Sequence, residues 1–226
     1  MTAKPRKTPP RRTPLSRERV LRAAIALADE RGADELTMRK LAQDLGVEAM
    51  SLYNHVASKD DLLDGMVDIV FSEIEPPVAG GDWKAELRKR AVSTRDALNR
   101  HRWAIGEMEG RGSHGPSNLR LHDAVLGCLR GAGFSVEMTV HAYSVQDAYI
   151  YGFALRERDT GFETPDSAGQ AAQRRAEMIT ELDKYPHLVE IAAELPGSGY
   201  DDAVEFEWGL DLILDGLDQL RQTSRR

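Results

Sequence analysis

TMRKLAQDLGVEAMSLYNH, running from Thr37 to His55, carries two helical apolar patterns broken by a glycine. At helical spacing Met38, Leu41, Ala42 and Leu45 form an apolar stripe, Gly46 interrupts it, and Val47, Leu52 and Val56 resume it on a new axis. Two short helices joined by a tight turn satisfy that pattern. Thr37 can cap the first helix with its hydroxyl. Gly46 supplies the positive φ that the turn requires. Ala42 is small where two steeply crossed helices bring their backbones together. The spacing of Ala42, Gly46 and Leu52 is that of a helix-turn-helix, whose second helix enters the DNA major groove.

The second helix, roughly Glu48 to Asn54, is held down by Val47, Leu52 and Val56. It would project Ala49, Met50, Ser51, Tyr53, Asn54 and His55 outward. A polar surface helix in any small α-domain has the same pattern. Its neighbours favour a nucleic-acid role: Lys59 just beyond, Arg39 on the preceding helix and a basic leader upstream. Ala49 and Met50 offer apolar contact to thymine methyls, Ser51 and Asn54 can hydrogen-bond base edges, and Arg39 can reach a guanine with two donors. Thr37, Tyr53 and His55 suit phosphates. So does Lys59, whose ammonium would act together with backbone N–H groups at a helix start.

The run LTMRKLAQDLGVEAMSLYNHVASKDDLLDGMV resembles the DNA-binding head of TetR-family transcriptional repressors, with LYNHV and SKDDLL as its most specific features. A weaker likeness to the tetracycline-repressor branch continues through HRW, GFS and the glycine-containing final helix. The resemblance implies an all-α fold, an N-terminal three-helix bundle with a helix-turn-helix plus a larger helical ligand-binding and dimerisation domain. It further implies a homodimer, double-stranded operator DNA as partner, and a small-molecule effector that releases a repressor. The expected organisation is a basic arm over 1–15, a DNA-binding domain over 16–62, and an effector-binding and dimerisation domain over 63–226.

Charge agrees once it is divided along the chain. The net charge is −7, yet residues 1–60 carry 12 Lys/Arg against 8 Asp/Glu, so the head is basic and the remainder acidic. Such a dipole draws one end towards a polyanion and turns the other away. With 41% hydrophobic and 30% charged residues the composition is that of a globular protein. No apolar run approaches the ~20 residues of a membrane span. The start is rich in Pro and Arg rather than apolar, unlike a signal peptide. A single cysteine, Cys128, excludes an internal disulfide, so a reduced cytoplasmic setting is expected.

In chain order, Met1 to Leu15 places Lys4, Arg6, Lys7, Arg11 and Arg12 among prolines, too little apolar surface to fold alone. It suits a phosphate-binding arm and a solubilising tail equally. Ser16 begins a helix that Gly32 ends, with Arg17 and Arg19 near enough to the arm for phosphate contact. The next helix after the reading pair runs from about Ser58 to about Glu75, and in a TetR-like protein it is the connecting rod. PPVAGGD at 76–82 is a break. Helices follow over about Trp83–Arg100, Trp103 towards Met108, Leu119–Ala132 and Val136 to about Arg158, with a loop at 110–118. A loop at 159–170, a helix over Ala171–Leu182, another from Pro186 and a break at 196–199 precede the last helix, about Asp201 to Arg221. Ser144, Ala148 and Gly152 make one stripe of the Val136 helix nearly flat. Gly209 and Gly216 interrupt a final helix too apolar for one free side. Two such helices per chain could build a two-fold four-helix interface.

Candidate effector contacts are Trp103, Met108, His122, Tyr143, Gln146, Tyr149 and Phe153, aromatic or polar groups expected to face one cavity. Each one alone would serve equally as packing. Resemblance to the tetracycline repressor would imply a metal-chelated drug. The corresponding positions here, in ungapped register, are instead Met108, Ala148, Arg156 and Glu75, and the His–carboxylate arrangement is missing. A different, largely apolar effector is therefore expected, with no metal and no cofactor. The rivals are a helical enzyme and a DNA-binding protein without an effector. Against the enzyme, His55, His101, His114, His122, His141 and His187 fall into no HExxH or paired ExxH pattern, and GxSxG and a phosphate-cradling Gly loop are absent.

Overall fold

A computed structural model describes residues 14–110, 115–160, 184–194 and 201–223. Most of the basic arm, the loop at 159–170 beyond Thr160, the helix expected over Ala171–Leu182 and the break at 196–199 lie outside the described residues. Every regular element among those described is helical. The chain divides into two compact units, one ending at Met66 and one beginning at Val67.

In the first unit α1 spans Arg17–Arg31, capped by the Ser16 hydroxyl, which accepts from the Arg19 N–H at 3.2 Å. A 3-10 turn at Ala33–Glu35, not foreseen in the sequence, carries Leu36 into the core with no exposed surface. Helix α2 spans Met38–Leu45 and α3 Ala49–Leu52. Gly46 between them has φ 66°, a left-handed conformation that other residues adopt only with strain. Val20, Leu41, Leu52 and Val56 are essentially inaccessible to water and form the middle of the unit. Helix α4, Lys59–Ser72, begins under the Ser58 hydroxyl, which accepts from the Asp61 N–H at 3.0 Å. It stops short of the expected Glu75 because the N–H groups of Glu73 and Ile74 bond back three residues, to Val70 and Phe71, tightening the last turn.

In the second unit α5 (Trp83–Arg100) starts on Asp82, whose carboxylate accepts from the Lys84 and Ala85 N–H groups. Helices α6 (Ala104–Gly110), α7 (Pro116–Gly131), α8 (Val136–Thr160), α9 (Pro186–Glu194) and α10 (Asp202–Thr223) follow. Helix α8 is central, packing on α5, α7 and α10. The core joins Trp83 and Leu87 of α5, Val125 and Leu129 of α7, Ile150 of α8, and Phe206 and Leu210 of α10. Burial of each such side chain is worth ~1.5–3 kcal/mol. Cys128 is part of this core, and burial pushes its thiol up.

Helix α7 begins earlier than the expected Leu119. Pro116 takes the first helical position, where its missing N–H is no loss. Asp68 of α4 caps the helix from outside its own sequence, accepting from the Ser117 N–H at 2.7 Å and from the Ser117 hydroxyl at 3.1 Å. A Cβ at Gly115 would lie 2.2 Å from the Asp68 carboxylate, so no larger residue fits beside this cap.

Candidate functional site

The head's outward surface is set by where α3 is anchored. Leu52 is fully buried, whereas Met50, two residues earlier, is 75% exposed and Tyr53 46%. A large apolar side chain held out to water on so short a helix is not core. Helix α3 is shorter than the expected Glu48–Asn54, with Glu48 as its N-cap and Tyr53 as its C-cap. The His55 and Val56 N–H groups both turn back to the Leu52 carbonyl, which delivers Val56 to the core. Tyr53, Asn54 and His55 therefore sit in the turn after the helix rather than on it. Ala49 and Ser51 are half-buried, and Asn54 is exposed.

Arg39 and Lys59 are exposed, and no ion pair joins either to the described residues. Both thus keep their charge available to a polyanion. Thr37 is exposed, but its hydroxyl oxygen accepts from the Lys40 N–H at 3.2 Å, capping α2. The helix start is thereby tied to a side chain that still has a proton to donate.

Arg17 has a different position from the phosphate contact suggested by its place near the arm. Its guanidinium grips both oxygens of Asp61, at 2.9 and 2.7 Å, and donates to the His55 carbonyl at 3.0 Å. The Arg17 fork and the Ala57 N–H, which donates to the same carboxylate at 2.7 Å, hold the Asp61 carboxyl down to about 2 from its ordinary 3.8. Arg17 is thus a positioning residue: it fixes the turn that follows α3. A sequence pattern cannot reveal a pair separated by 44 residues.

The body contains a cavity of about 160 Å³. Met108 of α6, His122 of α7 and Tyr143 of α8 line it, as expected from the sequence, together with Phe71, Leu121 and Asn118. His122 and Tyr143 stack with centroids 4.2 Å apart at 19°. Arg90 of α5 and Asp147 and Tyr151 of α8 complete the wall, and the sequence did not single these out. The Arg90 Nη2 lies 2.7 Å from Asp147 Oδ1, and Arg90 is only 2% exposed. Burial, with the Asp147 carboxylate nearby, pushes the Tyr143 hydroxyl up, so it keeps its proton.

The other four expected contacts are not brought to this cavity. Trp103 is buried against His101, with centroids 6.3 Å apart. Gln146 is buried and donates to the Ala142 carbonyl of its own helix. Tyr149 donates to the Phe206 carbonyl at 2.9 Å, and Phe153 packs edge-on against Phe206. The helical period explains the split. Tyr143, Asp147 and Tyr151 recur every four residues on the cavity side, while Gln146, Tyr149 and Phe153 lie on the sides turned to the core and α10.

On the outer side, α10 exposes Val204, Trp208, Leu212 and Leu220, from 55% to 67%, in one line of four-residue steps that passes through Gly216. Helix α8 exposes Val145 and Leu155 beside Ser144, Ala148 and Gly152. Gly209 lies against the core: a Cβ there would clash with the Tyr149 hydroxyl. Gly216 would meet nothing within 4 Å. No helix among the described residues is long and apolar enough to cross a membrane.

Comparison with known proteins finds two matching segments. Residues 20–66 match the profile of bacterial regulatory proteins, tetR family, and residues 75–221 that of the tetracyclin repressor-like C-terminal domain. The chain is 34% identical to the HTH-type transcriptional repressor DrrR1 of Streptomyces coeruleorubidus, over 91% of this chain and 78% of that protein. It is 30% identical to the class C tetracycline repressor protein of Escherichia coli, over 93% and 94% of the two chains. Among solved structures, ActR of Streptomyces coelicolor in complex with actinorhodin superposes with a TM-score of 0.73 at 29% identity, covering 92% of this chain and 99% of that one.

Proposed function

Because the chain belongs to the TetR family of bacterial transcriptional regulators, we propose that it acts as a homodimeric repressor, released from operator DNA by a small molecule held in the α4–α8 cavity. It is a DNA-binding regulator with a helix-turn-helix head, and its relatives carry the names of regulators rather than of enzymes. The observation that carries the DNA-reading surface is the exposure of Met50 and Tyr53 around a fully buried Leu52, with Arg39 before them and Lys59 after them in the chain both exposed and in no ion pair among the described residues.

Within that surface Ala49 and Met50 meet thymine methyls, Ser51 and Asn54 the base edges, and Arg39 a guanine. Thr37, Tyr53, His55 and Lys59 meet the backbone and set the register. Two copies are needed because a helix-turn-helix reads half-sites in pairs. The line of Val204, Trp208, Leu212 and Leu220 on α10, beside the small residues of α8, is the surface that supports pairing. Exposed apolar faces of this extent ordinarily mark an interaction site.

ActR has been crystallised with actinorhodin, and the tetracycline repressors are named for their drug. By analogy Met108, His122 and Tyr143 would touch the effector here, while Trp103, Gln146, Tyr149 and Phe153 would support it from the core. The test is a thermal-shift screen with operator bound and free. An effector should raise Tm and release operator in the same concentration range. Compounds that stabilise the protein yet leave every complex intact would refute the repressor-release reading.

A further inference from the structure

The cavity also has a chemistry, and from it, given the effector reading above, we infer the ligand's class: a planar aromatic molecule that presents a carbonyl or carboxylate oxygen to the guanidinium of Arg90. The size fits the recognised end of such a molecule. A cavity of about 160 Å³ is close to the ~150 Å³ that admits one benzene ring. Phe71, Tyr143 and Tyr151 put aromatic rings on the lining, where Tyr143 is stacked with His122.

On the polar side of the wall two donors of Arg90 and one oxygen of Asp147 lack hydrogen-bond partners among the described residues, so donors outnumber acceptors. Arg90 is buried on α5, its Nη2 faces Asp147 as an ion pair not aligned as a hydrogen bond, and its Nε and Nη1 have no hydrogen-bond partner among the described residues. Buried donors left in that state are costly, and buried guanidinium groups are normally satisfied. The Tyr143 hydroxyl lies 3.4 Å from His122 Nδ1 and also faces the Asp147 carboxylate, so it is not free to serve a ligand. Among the described lining residues Arg90 is the one Arg/Lys and Asp147 the one carboxylate, so their charges offset each other. What the wall still lacks is an oxygen acceptor for Arg90. A ligand cation would have to displace Arg90 from Asp147 and would find no second carboxylate. A plain hydrocarbon would leave the guanidinium donors as they are. An oxygen on the ring is the feature that completes the site.

Four matched probes distinguish these cases on the full chain by ligand-observed NMR at millimolar concentration: acetophenone, benzoate, toluene and benzylamine. Acetophenone or benzoate should bind at least about tenfold more tightly than toluene or benzylamine. The double variant Arg90→Met/Asp147→Leu removes the pair together, a change that often leaves stability intact, and should bring acetophenone and toluene to the same affinity. Toluene or benzylamine binding to the natural protein as well as the tighter of acetophenone and benzoate would overturn the inference, as would no binding by either oxygenated probe. That comparison needs no variant, so it stands if the double variant fails to fold. Persistence of the preference in a folded double variant would also overturn it. Oxygenated probes, or larger compounds of their class, that bind Arg90 without releasing operator would sink the repressor-release reading alone. A compound without such an oxygen that releases operator would leave that reading intact and sink this one.

Discussion

Alanine at Gly209 and at Gly216 should have opposite consequences, although both residues lie within the same helix, one heptad apart. Either change gains ~1 kcal/mol of helix propensity. At Gly209 the new methyl would sit 2.3 Å from the Tyr149 hydroxyl oxygen and 2.9 Å from its ring carbon, about an ångström inside ordinary contact. The phenol must move, which breaks its 2.9 Å bond to the Phe206 carbonyl and disturbs a ring stack with Phe206 at 5.5 Å. A lost hydrogen bond costs ~0.5–1.5 kcal/mol and overpacking ~1–3 kcal/mol. The net for Gly209→Ala is a destabilisation of ~1–3 kcal/mol, of which none depends on a second copy. At Gly216 nothing lies within 4 Å, so the protomer keeps the full propensity gain. Gly216 nevertheless continues the line of Trp208, Leu212 and Leu220, and a methyl there would stand in the way of a partner helix. Urea unfolding at several protein concentrations, with sedimentation equilibrium, separates the two effects. Gly209→Ala should lower the unfolding midpoint at every concentration, and Gly216→Ala should weaken association by about tenfold, or ~1.4 kcal/mol. A Gly209→Ala protein as stable as the natural one would refute the packing of Tyr149. A Gly216→Ala protein that dimerises unchanged would refute the pairing surface.

Other expectations concern the head and α7. Arg39→Ala should relax sequence preference in a mobility-shift series, whereas Lys59→Ala should weaken all duplexes alike and reduce the salt slope by about one; identical behaviour of the two would contradict their assigned roles. Asp61 has a folded pKa of about 2, below its ordinary 3.8, so its contribution is whole above that ordinary value and lost as pH falls towards 2. Hydrogen exchange of α1 amides should show protection falling in that window, and Asp61→Asn should abolish the pH dependence; an unchanged acid profile in the variant would rule out the Arg17 clamp. Asp68→Ala removes the external cap of α7 and should cost ~1 kcal/mol, read as a lower Tm. Equal Tm values would mean that Ser117 finds another acceptor.

Features carried by local periodicity were legible in the chain. The Thr37 cap, the Gly46 turn and the starts of α1, α5 and α9 all follow from residues within one turn of the feature itself. Helix ends set by tertiary partners were not. Helix α3 is cut short by the return of Val56 to the core, and α7 begins at Pro116 under a carboxylate 49 residues away. The cavity divides for the same reason. Met108, His122 and Tyr143 were identified as aromatic or polar groups on inward helices, but the face of α8 that carries Tyr143 also carries Asp147 and Tyr151. The partner of Asp147 is Arg90, which on α5 reads as one more charge in a charged helix. An ion pair between distant helices leaves no periodic trace, so the polar part of the cavity wall was not legible in the sequence.

Selection of binding sites from a random duplex pool, repeated with an Arg39→Ala protein, tests whether α2 and α3 read DNA in symmetric pairs. The natural protein should enrich sequences made of two inverted half-sites, with centres separated by ~10 base pairs or a multiple, and the variant should lose the preference within each half-site while keeping residual affinity. Failure to enrich any sequence, or enrichment of a single unpaired half-site, would contradict the claim that α2 and α3 read DNA as a symmetric pair.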